Sequence, residues 1–546
     1  MFINEKSATP GLQDFLNTPD EQKKWLKSRG YLHITPKINV NARKTEMVSK
    51  VQNEDWVKRH AFFPLIHSVI KERKFKKHPE VPTKRAHSHI VKGKPKSSAK
   101  QRPLHYSTHI DSIVFGYYAS YLLQLYELEL NMHNGLKECI TAYRKIGLDD
   151  DEETGKSTIN FANEAFTEIG KRALDGCVVL MFDIESFFSR LNHEKLKKAW
   201  SKLIGDESRM PEDHFNVFKA ATKFHYILRD DLRMGKRVDG RRQGFNEQKL
   251  AKIRKYQGIE AFYENTEDFR RAIKSKEITV YKKQFVKDGI QVGIPQGLPI
   301  SAVLANLYLL DFDLEVLNTV VNKMGGFYRR YSDDILIVCK AEQAEYISEF
   351  IESEIEKSKV SISTTKTEIY QFRRFQISPR KSKIVSIQML EKMCRIGKPL
   401  SYLGFEFYGE KTLIKSANLA KFYRRIIYTV KRRSKRAIKI ASSHSSTPII
   451  YKARLIKLYK QLDLGNDKEK PFVVKRLKRN MKGEFSFKKI EIKPKVDGEK
   501  PKKANYISYV RRSCRLMAQE GINNQVRRRR HIFNQALARH MKKLTS

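Results

Sequence analysis

A chain of 546 residues with 40% hydrophobic content is long enough for two to four domains, each able to bury a core. Its formal charge of +47 selects polyanions as partners and predicts strongly salt-dependent binding. The five cysteines (Cys139, Cys177, Cys339, Cys394, Cys514) show no CxxC spacing, which argues against a disulfide framework or a zinc site.

No apolar run reaches ~18 residues, no amphipathic segment is rich in Trp or Phe, and no charged-then-apolar leader opens the chain. The expected setting is a reducing cytoplasm without a membrane partner. Residues 1–45 are polar, with a helix start at 18–21. Residues 46–80 carry Trp56, His60, Phe62-Phe63-Pro64-Leu65-Ile66 and Val69-Ile70 ahead of a basic run, and read as a helical segment with a basic tail. Residues 82–103 form a basic loop punctuated by Gly, Pro and Ser, with Lys94, Lys96 and Arg102. Such a loop can lie over phosphates or be a plain solvated linker. An apolar helix follows over 110–125. Ser157 is the expected N-cap of a helix running through Ile169.

Gly176 to Phe182 reads as a buried strand that delivers Asp183 to its end, with Phe187-Phe188 just beyond. A lone aspartate there can simply cap the next helix, whereas the aromatic pair suggests a walled pocket. Residues 205–285 are a charge-dense helical insertion, read as an elaboration. Gly293-Ile294-Pro295-Gln296-Gly297-Leu298-Pro299 then makes a shaped loop that opens a helix. Arg330-Tyr331-Ser332-Asp333-Asp334 followed by Ile335 to Val338 reads as strand, acidic turn, buried strand. Two carboxylates beside buried strands are costly unless bound, and divalent cations are the natural ligand. Paired aspartates also occur as ordinary turn chemistry. A helix over 341–358, Lys366, and a hairpin at Leu403-Gly404-Phe405 complete the series.

From residue 411 the composition shifts to 39 Lys and Arg against 8 Asp and Glu, a net +31, interleaved with six tyrosines. Basic helices with aromatics suit a surface that tracks a nucleic-acid backbone.

Taken in order, Asp183 with Phe187-Phe188, Pro295-Gln296-Gly297, Tyr331-Ser332-Asp333-Asp334, Lys366 and Leu403-Gly404 resemble the signatures of a reverse transcriptase, over roughly residues 85–410. Tyr143-Arg144-Lys145, Asn160-Phe161-Ala162 and the segment around Phe62-Phe63-Pro64 carry a narrower resemblance to the bacterial defence-associated and abortive-infection group, relatives of retron and group II intron enzymes. There is no HNH-type His/Asn/Cys cluster.

The resemblance implies an α+β right-hand polymerase. Its parts would be an N-terminal helical segment (1–81), fingers (82–182), a palm with antiparallel sheet (183–410, with the insertion), and a basic, mainly helical thumb and C-terminal region (411–546). It implies RNA-directed DNA synthesis in antiviral defence with a noncoding RNA. Its alternatives are template-independent or protein-primed DNA synthesis at the same site, a retron- or intron-type mobile-element enzyme, and a catalytically idle RNA-binding protein.

Asp183, Asp333, Asp334 and Lys366 would be catalytic. Two Mg²⁺ ions, or Mn²⁺ in their place, would be held by Asp183, Ile184, Asp333 and Asp334. Arg102, Lys94, Lys96, Phe187, Phe188, Gln296 and Gly297 would bind the dNTP, with Phe188 as a gate against a ribose 2′-hydroxyl. Tyr331, Leu403, Gly404 and Phe405 would contact primer and template. RNA, the DNA product and dNTPs are the implied partners, with oligomerisation left open.

Overall fold

The computed structural model describes residues 24–542 except 73–75, 79–80, 82, 84, 87, 92, 98, 149–150, 207, 235–243, 259, 283–284, 392, 444–446, 461–471, 480–484 and 493–504. The expected helix start at 18–21 lies outside the described residues. The architecture is α+β, with helices and mainly antiparallel sheets. The chain divides into two compact units, residues 1–146 with 179–368 and residues 147–178 with 369–546.

In the first unit, helices α1 (Lys44–Gln52) and α2 (Glu54–Arg59) are joined by Asn53, whose side chain caps α2 by accepting from the Trp56 amide at 2.8 Å. Strand β1 (Leu65–Glu72) follows, where the sequence reads as helix. Pro64 stops helix propagation. The ladder partners of β1 come from far away in the chain, so local periodicity carries no sign of them. The basic stretch after it is strand rather than loop. It comprises hairpin β2 (Ser88–Val91) with β3 (Lys94–Ser97), then β4 (Lys100–Tyr106), which runs antiparallel to β1.

Helix α3 (His109–Met132) is capped by the Thr108 hydroxyl and buried on several sides, as its near-continuous apolar sequence requires. Strand β5 (Cys177–Asp183) is buried from Cys177 to Phe182 and emerges at Asp183. Helix α4 (His193–Ile204) follows, capped by Asn192.

The insertion supplies α5 (Glu212–Thr222), β6 (Tyr226–Leu228), α6 (Glu247–Gln257) and α7 (Thr266–Lys274). Strand β6 pairs in parallel with β1. Ile227, Leu250, Phe262 and Phe269 share one core with Ile34 and Ile66. The insertion is therefore built into the unit that hosts it.

Helices α8 (Ser301–Tyr308) and α9 (Leu310–Val316) lead to the hairpin of β7 (Phe327–Tyr331) and β8 (Asp334–Cys339), where Tyr331 pairs with Asp334. Strand β8 lies between β7 and β5, which brings the hairpin turn beside the end of β5. Helix α10 (Ala344–Lys357) buries Ile347, Ile351 and Ile355 along one face.

Below the turn lies a fully buried ion pair. Arg330 donates from Nε to Asp313 Oδ1 at 2.7 Å and from Nη2 to Oδ2 at 2.5 Å, with both side chains at 0% exposure. Tyr328 Oη donates to the same carboxylate at 2.6 Å, and Arg330 Nη1 reaches Asn306 Oδ1 and the Ser332 carbonyl, each at 3.2 Å.

In the second unit, helix Thr158–Arg172 opens with a capping box between Ser157 and Asn160 and stacks Phe166 on Phe407 at 4.7 Å. A meander of strands Glu368–Ser378, Lys381–Leu390 and Met393–Ile396 is followed by the small sheet Leu400–Tyr402, Phe405–Phe407 and Thr412–Ile414. Helix Ser416–Ser443 buries Phe422, Ile426 and Val430 and turns its basic residues outward. Gln525 acts as a surrogate strand, because its side-chain amide exchanges two 2.9 Å hydrogen bonds with the backbone of Ile414. The C-terminal region also contains a hairpin, Phe472–Arg479 with Phe485–Ile492, within the stretch expected to be mainly helical. Its charge-rich alternation masked the strand period.

Removing one member of a buried ion pair strands the other. Arg330→Met should therefore cost about 3–5 kcal/mol, read as a lower unfolding midpoint, whereas the double variant Arg330→Met/Asp313→Leu should recover most of that loss.

Candidate active site

Three chain segments are stitched together by their backbones. The Ile184 amide donates to the Asp333 carbonyl at 3.1 Å, the Ser363 amide to the Asp183 carbonyl at 2.8 Å, and the Glu185 amide to the Ser361 carbonyl at 2.8 Å. These bonds set the end of β5 against the β7–β8 turn on one side and the segment after α10 on the other. The turn has two connecting residues, and Ser332 takes a left-handed φ of 62°. Tight hairpins need positive φ at such a position to match the strand twist.

Asp183 and Asp333 consequently face the same small region. Burial holds the Asp333 carboxyl above its ordinary range, and the charge of Asp183 pushes it further in the same direction. A hydrogen bond from its own backbone, the Ser332 hydroxyl and the Lys100 ammonium partly oppose this. Lys366 forms an ion pair with Asp183. Two crowded carboxylates with an ammonium group as counter-charge make a hard-oxygen donor set that fits a divalent cation such as Mg²⁺. Asp334 begins β8, where its charge acts on Tyr331 and Tyr143. Among the described residues no group of three or more His, Cys, Asp or Glu side chains converges as a metal cluster. Ile184 has a hydrocarbon side chain, so its backbone carbonyl oxygen is the one ligand atom it can offer a metal.

A cleft of about 880 Å³ opens beside these groups, lined among others by Lys100, Arg102, Tyr143, Phe187, Phe188, Gln296, Gly297, Asp333 and Lys366. Phe187 is buried and anchors the short turn, while Phe188 is half-buried at the cleft wall. The Pro295-Gln296-Gly297 loop is held by the His105 amide, which donates to the Gln296 carbonyl at 2.8 Å. Gly297 has φ of +116°, and a Cβ there would meet the His105 carbonyl oxygen at 2.4 Å. Only glycine fits this close crossing of two backbones.

Arg102 lines the cleft, with its guanidinium 3.3 Å from Glu72. The side chains of Lys94 and Lys96 lie outside the described residues. Their backbone forms strand β3. Tyr331 is half-buried at the end of β7.

Leu403, Gly404 and Phe405 belong to the second unit. Leu403 and Gly404 form a two-residue turn with φ of 43° and 92°, the sign pattern of a type I′ hairpin. Gly404 is required by this turn rather than by a passing backbone, since its nearest neighbour is the Asn418 side chain. Phe405 is fully buried with its ring toward Tyr509, so it supports the hairpin from beneath.

Sequence reasoning missed Lys100 as the cation facing Asp333, because the basic stretch was read as a loop without register. It also missed Asp313 as the buried partner of Arg330, and the place of Tyr143 at the cleft wall. An acidic residue in an apolar helix, Asp313 in Leu309-Leu310-Asp311-Phe312-Asp313-Leu314, was the available signal for the first of these two.

A family model described as reverse transcriptase (RNA-dependent DNA polymerase) matches residues 252–407. The chain thus carries a reverse transcriptase domain. The match takes in Gln296, Asp333, Asp334, Lys366 and Gly404, and leaves Asp183 outside.

Among solved structures, the chain is similar to an apo telomerase from Candida tropicalis truncated from its C-terminal domain, with 9% identity and a TM-score of 0.33, covering 64% of this chain and 57% of that one. It is also similar to telomerase from Candida albicans in complex with a TWJ fragment of telomeric RNA, with 11% identity and a TM-score of 0.33, covering 70% of this chain and 55% of that one. The chain spans a little over half the length of these structures. No curated protein sequence matches it.

Millimolar Mg²⁺ should raise the unfolding midpoint of the wild-type protein and leave that of Asp333→Asn unmoved, since only the former offers the paired carboxylates. Without metal at neutral pH, Asp333→Asn should melt above wild type. The raised Asp333 pKa means that ionisation opposes folding, so the metal-free wild type should lose stability as pH rises through that pKa. Thermal melts across pH, with and without Mg²⁺, check all three.

Proposed function

We propose that this protein is an RNA-directed DNA polymerase that extends a primer by nucleotidyl transfer at Asp183 and Asp333. The observation that carries the reading is the convergence of these two carboxylates at strand ends beside a cleft walled by Phe188, Gln296 and Gly297. In this reaction the primer 3′-oxygen bonds to the α-phosphorus of a dNTP, the bond to the bridging oxygen breaks, and pyrophosphate leaves. When bound on Asp183, Ile184, Asp333 and Asp334, two Mg²⁺ ions, or Mn²⁺, supply Lewis-acid stabilisation of the attacking and leaving oxygens.

The residues of the chain do the positioning. Arg102 and Lys100, on the strand that borders the cleft, are placed to meet triphosphate oxygens, with Lys94 and Lys96 on the preceding hairpin as further phosphate ligands. Gln296 and Gly297 present a glycine-lined backbone to the flat base, and Phe188 gives a bulky wall where a ribose 2′-hydroxyl would sit. Lys366 neutralises Asp183 in the free protein and is placed to turn to the leaving pyrophosphate as a proton donor. Tyr331 and the Leu403-Gly404 hairpin, supported by Phe405, are assigned to the primer and template.

The basic C-terminal region, net +31 from residue 411, serves as the nucleic-acid surface of the thumb. A role in antiviral defence with a noncoding RNA is supported by the resemblance carried by Tyr143-Arg144-Lys145 and Asn160-Phe161-Ala162.

Protein purified with its bound nucleic acid should convert labelled dNTPs and Mg²⁺ into a DNase-sensitive product. Its formation should fall at least ~100-fold in Asp333→Asn and be abolished by prior RNase treatment. No product under any condition, with RNA still bound, would sink the polymerase reading. Phage plating efficiency on cells carrying wild type or Asp333→Asn tests the defence role. In the same extension assay, Phe188→Ala should raise ribonucleotide incorporation relative to dNTP by about tenfold or more.

A further inference from the structure

Tyr143 is held in a conformation that its side chain disfavours. Its φ is 63°, in the left-handed region where a bulky residue is an outlier. The neighbouring chain over-determines this shape. The Thr141 amide and hydroxyl both donate to the Arg330 carbonyl, at 3.0 and 3.1 Å. Asn306 Nδ2 donates to the Ala142 carbonyl at 2.9 Å. Arg144 is buried, chelated by Glu127 through Nε at 2.7 Å and Nη2 at 2.6 Å, and its Nη1 donates to the Ile140 carbonyl at 2.5 Å. Strain of this kind persists only where surrounding contacts enforce it, and it concentrates at functional sites.

The enforced conformation sends the ring to the cleft. Tyr143 is 44% exposed and lines the cavity, with its ring centroid 6.4 Å from that of Phe188 at 78°. Its hydroxyl lies 3.0 Å from Ser332 Oγ, in the turn that carries Asp333. Ser332 is itself left-handed. Two residues in disfavoured backbone conformations are thus tied to each other across the edge of the proposed active site.

We propose that Tyr143 is a positioning residue that locks the Ser332-Asp333 turn through its hydroxyl and completes, with Phe188, the wall facing the sugar of the incoming nucleotide. The inference rests on the polymerase reading above. Ser332 immediately precedes Asp333 in the two-residue turn, and its hydroxyl lies 3.0 Å from that of Tyr143. That contact ties the turn carrying Asp333 to the Tyr143 segment, while the ring of Tyr143 stands beside Phe188. Ring and hydroxyl therefore have separable tasks.

The test measures kcat and KM for dNTP, the ratio of dNTP to rNTP use, and the unfolding midpoint in Tyr143→Phe, Tyr143→Leu, Ser332→Ala and the double variant Tyr143→Phe/Ser332→Ala. Tyr143→Phe should keep KM and selectivity and lower kcat by about five- to tenfold, the scale of one hydrogen bond. Ser332→Ala should lower kcat at least as far, and the double variant should fall no further than Ser332→Ala alone. Tyr143→Leu should add a rise in dNTP KM and a loss of sugar selectivity that Tyr143→Phe lacks.

Multiplicative losses in the double variant would overturn the proposal. So would unaltered kcat in Tyr143→Phe, or a Tyr143→Leu variant that melts lower with kinetics and selectivity unchanged. Wild-type protein that makes no product would instead fail the polymerase reading itself.

Discussion

The bidentate pair between Arg330 and Asp313 is the constraint on which the site depends. A guanidinium with no exposure can be tolerated only if its donors are satisfied, and here they fan out to Asp313, Asn306 and the Ser332 carbonyl. Each of these contacts pins a different element: helix α9, helix α8 and the Ser332-Asp333 turn. The backbone of the same residue accepts from Thr141, so one position fixes the turn from below and the Tyr143 segment from the side. The pair earns little net stability from burial, since desolvation cancels most of the attraction. Its value is geometric. It lets two carboxylates sit at strand ends without the turn relaxing to separate them.

That separation is the relaxation the electrostatics favour. Asp333 is disfavoured as an anion by burial and by Asp183, and in the free protein Lys366 offsets part of the cost at Asp183. A rigid scaffold holding like charges together is a ready receptor for cations, because the repulsion is already present before the ligand arrives. The turn geometry serves this end at a local cost. Left-handed φ at Ser332 and Tyr143 would be unfavourable in an isolated peptide, and both are enforced by contacts from outside their own segments.

The legible parts of the molecule were those where chemistry is local. Strand β5 is an apolar run that ends in an aspartate and β8 is one that begins with an aspartate, and period and composition identify them without help from elsewhere. The capping residue Ser157 and the glycine at 297 belong to the same class. Strand β1 was not legible, because Phe62 to Ile70 matches a helical apolar face, and what makes it a strand is pairing with β4 and with the distant β6. The register of the basic stretch was hidden for the same reason, and with it the placement of Lys100. Arg330 stood in plain view beside the aspartates, yet nothing in its neighbours said that it would be fully buried. Its partner lies 17 residues away on a helix. Residues proposed to contact a ligand, such as Asp183 and Asp333, left a trace in composition, whereas residues that hold others, such as Arg330, left almost none.

The distribution of charge extends this argument to the whole chain. Of the +47 total, +31 lies beyond residue 410, while the proposed catalytic centre sets the carboxylates of Asp183 and Asp333 close together. A polyanion attracted by the basic region gains counterion release over many phosphates, a term that is large and indifferent to sequence. The paired carboxylates would repel a phosphate brought beside them unless cations are present. Binding and chemistry thus respond oppositely to divalent ions: raising Mg²⁺ competes with lysines and arginines for phosphate and at the same time completes the carboxylate site. A protein built this way should hold its nucleic acid most tightly where it is least active. It should work best at a divalent concentration high enough to load two aspartates and low enough to leave the basic surface engaged.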